Sequence, residues 1–223
     1  MNKKIMLLAL AAVSAVVLAL PAMASALIPL HLSPTPAGSK TIDGVGGAIL
    51  STSGGTTTTC TGFGGNASFE AGGTTGTMNL TFTGCKESVF GTSCNSSGAA
   101  AGTIVTTALP FHLATLAGKS PGVLVTPNAG GAGNHFATFT CAGGLVTVNV
   151  TGNGVLGTIT APACEGSSTQ ATITFEESSH GVQKHKTLEG TATEYSLMKG
   201  AETASQVAHG TLTLGSNTKL VCT

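Results

Sequence analysis

Six cysteines, six histidines and nine carboxylates stand first among the side chains of this 223-residue chain able to do covalent, metal or acid/base chemistry. The cysteines are Cys60, Cys85, Cys94, Cys141, Cys164 and Cys222. An even number, in a chain that opens with an export leader, reads as a disulfide framework. The segment from Cys85 to Cys94 is the shortest and reads as a bridged hairpin loop. Cys60 with Cys141 and Cys164 with Cys222 complete the expected set, one of the fifteen pairings that six cysteines allow. Each bridge is expected to stabilise by about 3 kcal/mol by restricting the unfolded chain. Zinc is the competing use of cysteine, but the chain has no Cys-x-x-Cys pair and no histidine at ligand spacing. No metal or cofactor is therefore expected.

The histidines are His31, His112, His135, His180, His185 and His209. His180 and His185 lie on opposite faces of any strand and far apart on any helix, so they do not chelate as a pair. Glu176 with Glu177, and Glu189 with Glu194, are the close carboxylates; neighbours on a strand point apart and do not face one cleft as glycosidase chemistry requires. Gly118-Lys119-Ser120-Pro121-Gly122 matches the nucleophile-elbow pattern, yet Pro121 and the β-rich Val123-Leu124-Val125-Thr126 follow where a helix is required. A hairpin turn is expected there. Lys119-Ser120 also resembles the end of a phosphate loop, but Leu113 stands where its first glycine belongs. Gly152-Asn153-Gly154-Val155-Leu156-Gly157 matches the dinucleotide fingerprint, but a strand follows it and not a helix. No catalytic residue is assigned, and His112 or His135 with a Glu or Ser remains the alternative of a fold-assembled hydrolase site.

The elements that would have to position such groups are strands. Leader residues 1–24 combine Asn2-Lys3-Lys4, an apolar run from Ile5 to Leu20, and Ala22-Met23-Ala24, the small-x-small pattern that a signal peptidase cuts. Neither an Arg-Arg pair nor a Cys at the cut points to another route. A secreted or otherwise extracytoplasmic product, with no transmembrane segment after cleavage, is the expectation. Residues 25–58, with Pro29, Pro34, Pro36 and a Ser/Gly/Thr run, read as an extended or flexible lead-in to a single domain over 59–223.

Thr is the commonest residue, with 36 copies against 32 Gly, and charged residues make up only 8%. Nine Lys balance nine acids, so no field of one sign exists to attract nucleic acid or an anionic membrane. Alternation of apolar with polar residues marks Thr77–Thr83 and the stretches 102–109, 111–116, 122–126, 135–141, 145–151, 155–160, 171–176, 187–198, 207–214 and 219–222 as strands. Residues 198–208 alone compete as a short helix. Gly152-Asn153-Gly154 reads as the turn of a hairpin joining 145–151 to 155–160. With no crossover helices the expected fold is all-β, an antiparallel β-sandwich or closed β-barrel of about eleven or twelve short strands. Aromatic girdles for an outer-membrane barrel are missing. Repeated Thr-x-Thr segments, such as Thr158-Ile159-Thr160 and Thr172-Ile173-Thr174, set hydroxyls on one strand face; a flat, aligned array would suit ice or another repetitive surface.

Phe82-Thr83-Gly84-Cys85, Cys94, Gly102-Thr103-Ile104-Val105-Thr106, Phe136 to Cys141 and Val155 to Thr160 together resemble a group of uncharacterised exported actinobacterial Thr/Gly-rich proteins, over residues 60–175. The resemblance implies an exported β-domain and transfers no activity or site residue. The expected role is structural, adhesive or binding, towards an unknown extracellular ligand or surface and not nucleic acid.

Overall fold

Period-two alternation of Val, Ile, Leu and Phe with Thr, Asn and Ser buries one face of each segment and solvates the other, and β-branched side chains suit that pleat. The computed structural model describes residues 30–128, 134–160, 168–215 and 218–221. They form β1 His31–Ser33, β2 Ser39–Gly44, β3 Ala48–Thr52, β4 Thr57–Cys60, β5 Gly62–Phe69, β6 Thr75–Thr83 and β7 Lys86–Glu87. After these come β8 Ile104–Val105, β9 Leu109–Thr115, β10 Pro121–Val125, β11 Ala137–Cys141, β12 Val146–Gly152, β13 Val155–Thr160 and β14 Gln170–Phe175. The last are β15 Glu177–Ser179, β16 Val182–Gln183, β17 Leu197–Lys199, β18 Glu202–Thr213 and β19 Lys219–Val221. Every pairing is antiparallel. Among the described residues no helix is long and apolar enough to cross a membrane.

Eight strands close into a barrel in the order β18-β14-β13-β10-β9-β6-β5-β2, with β2 returning to β18. Its interior is packed by Ile42, Ala67, Met78, Phe111, Val123, Ile159, Ile173 and Leu212, among others. β18 is long enough to serve two sheets. Its second half belongs to the barrel, while Glu202–Val207 pair with β17 and β3 and start a second sheet, β11-β12-β17-β18-β3-β4-β7. That sheet nearly closes as well, through single bridges from Lys86 to Ser93 and from Asn95 to Thr140. Two disulfides sit at this thin seam, Cys60–Cys85 and Cys94–Cys141. The covalent links therefore stand where the hydrogen-bond ladder is shortest. The expected pairs Cys85–Cys94 and Cys60–Cys141 are corrected accordingly: Cys85 and Cys94 are neighbours at the seam but reach outward to opposite strands, β4 and β11. Cys164 and Cys222, like residues 1–24 with their expected leader, lie outside the described residues.

Several expectations change with the tertiary structure. Gly152-Asn153-Gly154 is no hairpin turn. β12 pairs with β11 and β17, β13 with β10 and β14, so the chain passes here from the second sheet into the barrel. Asn153 braces the crossing, its Nδ2 donating to the Glu194 carbonyl and its Oδ1 accepting the Ser196 N–H, both at 2.8 Å. The stretch read as a lead-in contributes β1, β2, β3 and the start of β4, with Leu32, Ile42, Ala48 and Leu50 burying their side chains despite the Pro and Thr around them. The contending helix over 198–208 is instead the end of β17, a turn at Gly200-Ala201 and the start of β18, with Ala204 and Ala208 buried. In 187–198 only Leu197 and Met198 are strand. The rest lies across the outside of the barrel and covers it with Leu188 and Tyr195, which pack with Leu116, Leu124 and Leu156. That cover explains why β10 and β13 carry apolar residues on both faces.

A candidate ligand cavity between the two rings

The few aromatic residues are concentrated. Five of the eight Phe residues, Phe63, Phe82, Phe136, Phe139 and Phe175, line one cavity of about 100 Å³. It lies where the barrel meets the second sheet. The barrel contributes Met78, Leu80, Val125 and Val155; the second sheet contributes Leu50, Cys60, Val150 and Leu197. Met78 also lines the void of about 20 Å³ inside the barrel and so stands between the two spaces.

Glycines make room for the rings. A Cβ on Gly44 would come within 2.6 Å of the Phe63 ring and 2.3 Å of its carbonyl oxygen, and one on Gly157 within 2.8 Å of the Phe175 ring. Gly44 pairs with Gly210 across the seam that closes the barrel, leaving a bare strip under Phe63. Phe63 in turn stacks on its cross-strand partner Phe82 with centroids 5.6 Å apart. The walls are thus held by backbone geometry and by aromatic contact. Among the described residues, Thr58, Thr106 and Gln206 are the polar residues of the lining, and no charged side chain takes part.

The groups singled out from the sequence do not converge on this space. His112 is on β9, His209 on β18 facing Thr174 Oγ1 at 3.3 Å, and His135 precedes β11. Partial burial lowers the pKa of His112, which favours its neutral form. Glu176 pairs with Lys184 at 2.9 Å at the surface. Among the described residues no three His, Cys, Asp or Glu side chains assemble as a metal site. Ser120 sits in the tight β9–β10 turn, where Gly118 and Lys119 take positive φ, the Leu116 N–H donates to the Ser120 carbonyl and the Lys119 N–H donates to the Leu116 carbonyl, both at 2.9 Å. It is a hairpin turn, with no helix for a nucleophile elbow.

A Ser, Glu and His grouping does form elsewhere, unforeseen from spacing. Ser205 Oγ donates to Glu177 Oε2 at 2.6 Å and accepts the Gly181 N–H at 3.1 Å, while His180 Nδ1 stands 3.8 Å from Glu177 Oε1. Ser205 is fully buried and bonded to the carboxylate, not to an imidazole, so the cluster fastens the β15–β16 hairpin onto β18 and supplies no activated nucleophile.

The Thr-x-Thr segments align across the barrel. Thr160, Thr172, Thr211 and Asp43 follow one another in register over β13, β14, β18 and β2, and Thr158 lies beside Thr174. A closed eight-strand barrel turns by about 45° from strand to strand on average, however, so these ranks curve away and offer no flat lattice. Comparison with known proteins returns no match, whether among family models, curated proteins or solved structures.

Proposed function

We propose that the protein works outside the cytoplasm as a binding protein, holding a small apolar molecule in the cavity between its two rings. The observation that carries this reading is the cavity itself, an apolar space walled by most of the phenylalanines of a chain that has few. Apolar side chains left facing unfilled space forfeit packing contacts that an apolar occupant restores. A volume of about 100 Å³ is well below that of drug-sized pockets, which limits the occupant to roughly the size of benzene. The leader and the two disulfides support an extracytoplasmic site of action. His112 on β9 and His209 on β18 stand four strands apart either way round the barrel, and His135 precedes β11 of the second sheet, a separation that favours binding over hydrolysis.

The test is a thermal-unfolding series of the secreted protein with benzene at millimolar concentration. Ligand binding to the folded state alone raises Tm with concentration. Ala208→Leu, which puts three carbons into the cavity from β18, should fold and should abolish the shift. A wild-type Tm that benzene leaves unmoved, or a shift that Ala208→Leu leaves intact, refutes the reading.

A further inference from the structure

The lining is specific about polarity as well as size. Gln206 of β18 is opposite Leu50 of β3, and Leu50 is opposite Thr58 of β4. Directly paired residues of antiparallel strands project to the same side, so these three form one row, and all three line the cavity. Strand spacing puts the two polar residues about 9.6 Å apart at the backbone, with the longer Gln side chain spanning part of that gap. The third polar residue, Thr106, is already engaged, since its Oγ1 accepts the Leu80 N–H at 2.9 Å. Thr58 is buried, yet its hydroxyl has no hydrogen-bond partner among the described residues. Gln206 donates through Nε2 to the Val207 carbonyl at 3.1 Å, and its Oε1 accepts nothing among the described residues.

We infer that the occupant is an uncharged hydroxylated aromatic molecule of about the size of phenol, its ring among the phenylalanines and its hydroxyl between Thr58 and Gln206. This rests on the cavity being a binding site at all. A hydroxyl is the group that fits, because it donates to Gln206 Oε1 and accepts from the Thr58 hydroxyl at once, whereas a carbonyl only accepts. Edge-to-face and offset contacts with Phe63, Phe82 and Phe139 favour a flat ring over a bulky aliphatic body. Carboxylates and amines are selected against: among the described residues no charged side chain lines the space, and a charge enters an apolar interior only at great cost without a partner.

The order of affinities is diagnostic. Burying a hydroxyl with no partner would make phenol a weaker ligand than benzene, since phenol gives up hydrogen bonds with water on entering. Calorimetric titration of the oxidised, leader-free protein with benzene, phenol and benzoate at neutral pH measures it directly. Phenol is expected to bind about three- to tenfold more tightly than benzene, and benzoate at least about tenfold more weakly. Thr58→Val, which keeps the side-chain shape, and Gln206→Leu should each lower the ratio of phenol to benzene affinity towards one. Benzene binding without any preference for phenol, or a preference that survives both substitutions, overturns this inference and leaves the apolar-cavity reading standing. Failure of both benzene and phenol to bind removes the two together.

Discussion

Removing the disulfide Cys94–Cys141 tests the claim that covalent links hold the seam of the second sheet. The bridge joins residues 47 apart in sequence, and Cys60–Cys85 joins residues 25 apart. Loop-closure entropy assigns about 4 kcal/mol to the first and about 3.5 kcal/mol to the second. Net domain stability is about 5–15 kcal/mol, so either loss is a large part of the whole. The double variant Cys94→Ala/Cys141→Ala should therefore lower the guanidinium midpoint by about 1 M, for a slope of about 4 kcal/mol per M. Loss of the fully buried sulfurs of Cys94 and Cys141 adds to the effect. Thiol titration of the unfolded variants checks the pairing independently. With Cys60 bonded to Cys85, removing Cys94 and Cys141 frees no new thiol. Two additional thiols in that variant would show that Cys60 and Cys85 had been bonded to the residues removed. A midpoint shift worth less than about 1 kcal/mol would refute the entropic argument for the seam.

Other perturbations probe local claims. Gly65→Ala forces a Cβ to 2.0 Å from the Asn79 carbonyl oxygen of the neighbouring strand, so it should cost about 1–3 kcal/mol in denaturant titrations. Asn153→Ala strips two hydrogen bonds from the crossing between the sheets and should cost about 1 kcal/mol, with faster amide exchange at Ser196. Glu87 caps its own loop: partial desolvation would raise its carboxyl pKa, but donation from the Phe90, Val89 and Thr92 backbone and from the Thr92 hydroxyl outweighs this and lowers it. A depressed carboxylate pKa contributes order that is present above the unfolded value and is lost as pH falls through the folded one. Amide exchange at Val89 and Phe90, normalised for intrinsic rate, should accelerate across that acid range, and Glu87→Gln should remove the pH dependence. Because the Thr ranks wrap around a barrel, the protein should show no thermal hysteresis in freezing assays.

Strand character was legible one segment at a time. Thr77–Thr83 alternates cleanly and is strand, because side-chain direction in a pleat depends only on parity along the chain. The positive-φ turn at Gly118 and Lys119 was equally local. Partnership was not legible: the same Asn-Gly that tolerates a hairpin turn also tolerates a crossing between sheets, and only the destinations of β12 and β13 distinguish them. Nor did spacing single out Thr58 or Gln206, which are unremarkable in a Thr-rich chain until register places them beside Leu50.

Sequence alone determined that this chain makes antiparallel strands with few charges and cysteines able to bridge them, since those properties follow from residue type and alternation. Tertiary structure decided which strands meet, which cysteines bond, and that five phenylalanines surround one space. Those outcomes depend on contacts between residues tens to more than a hundred positions apart, and the loop entropy and packing that select them are properties of the whole chain.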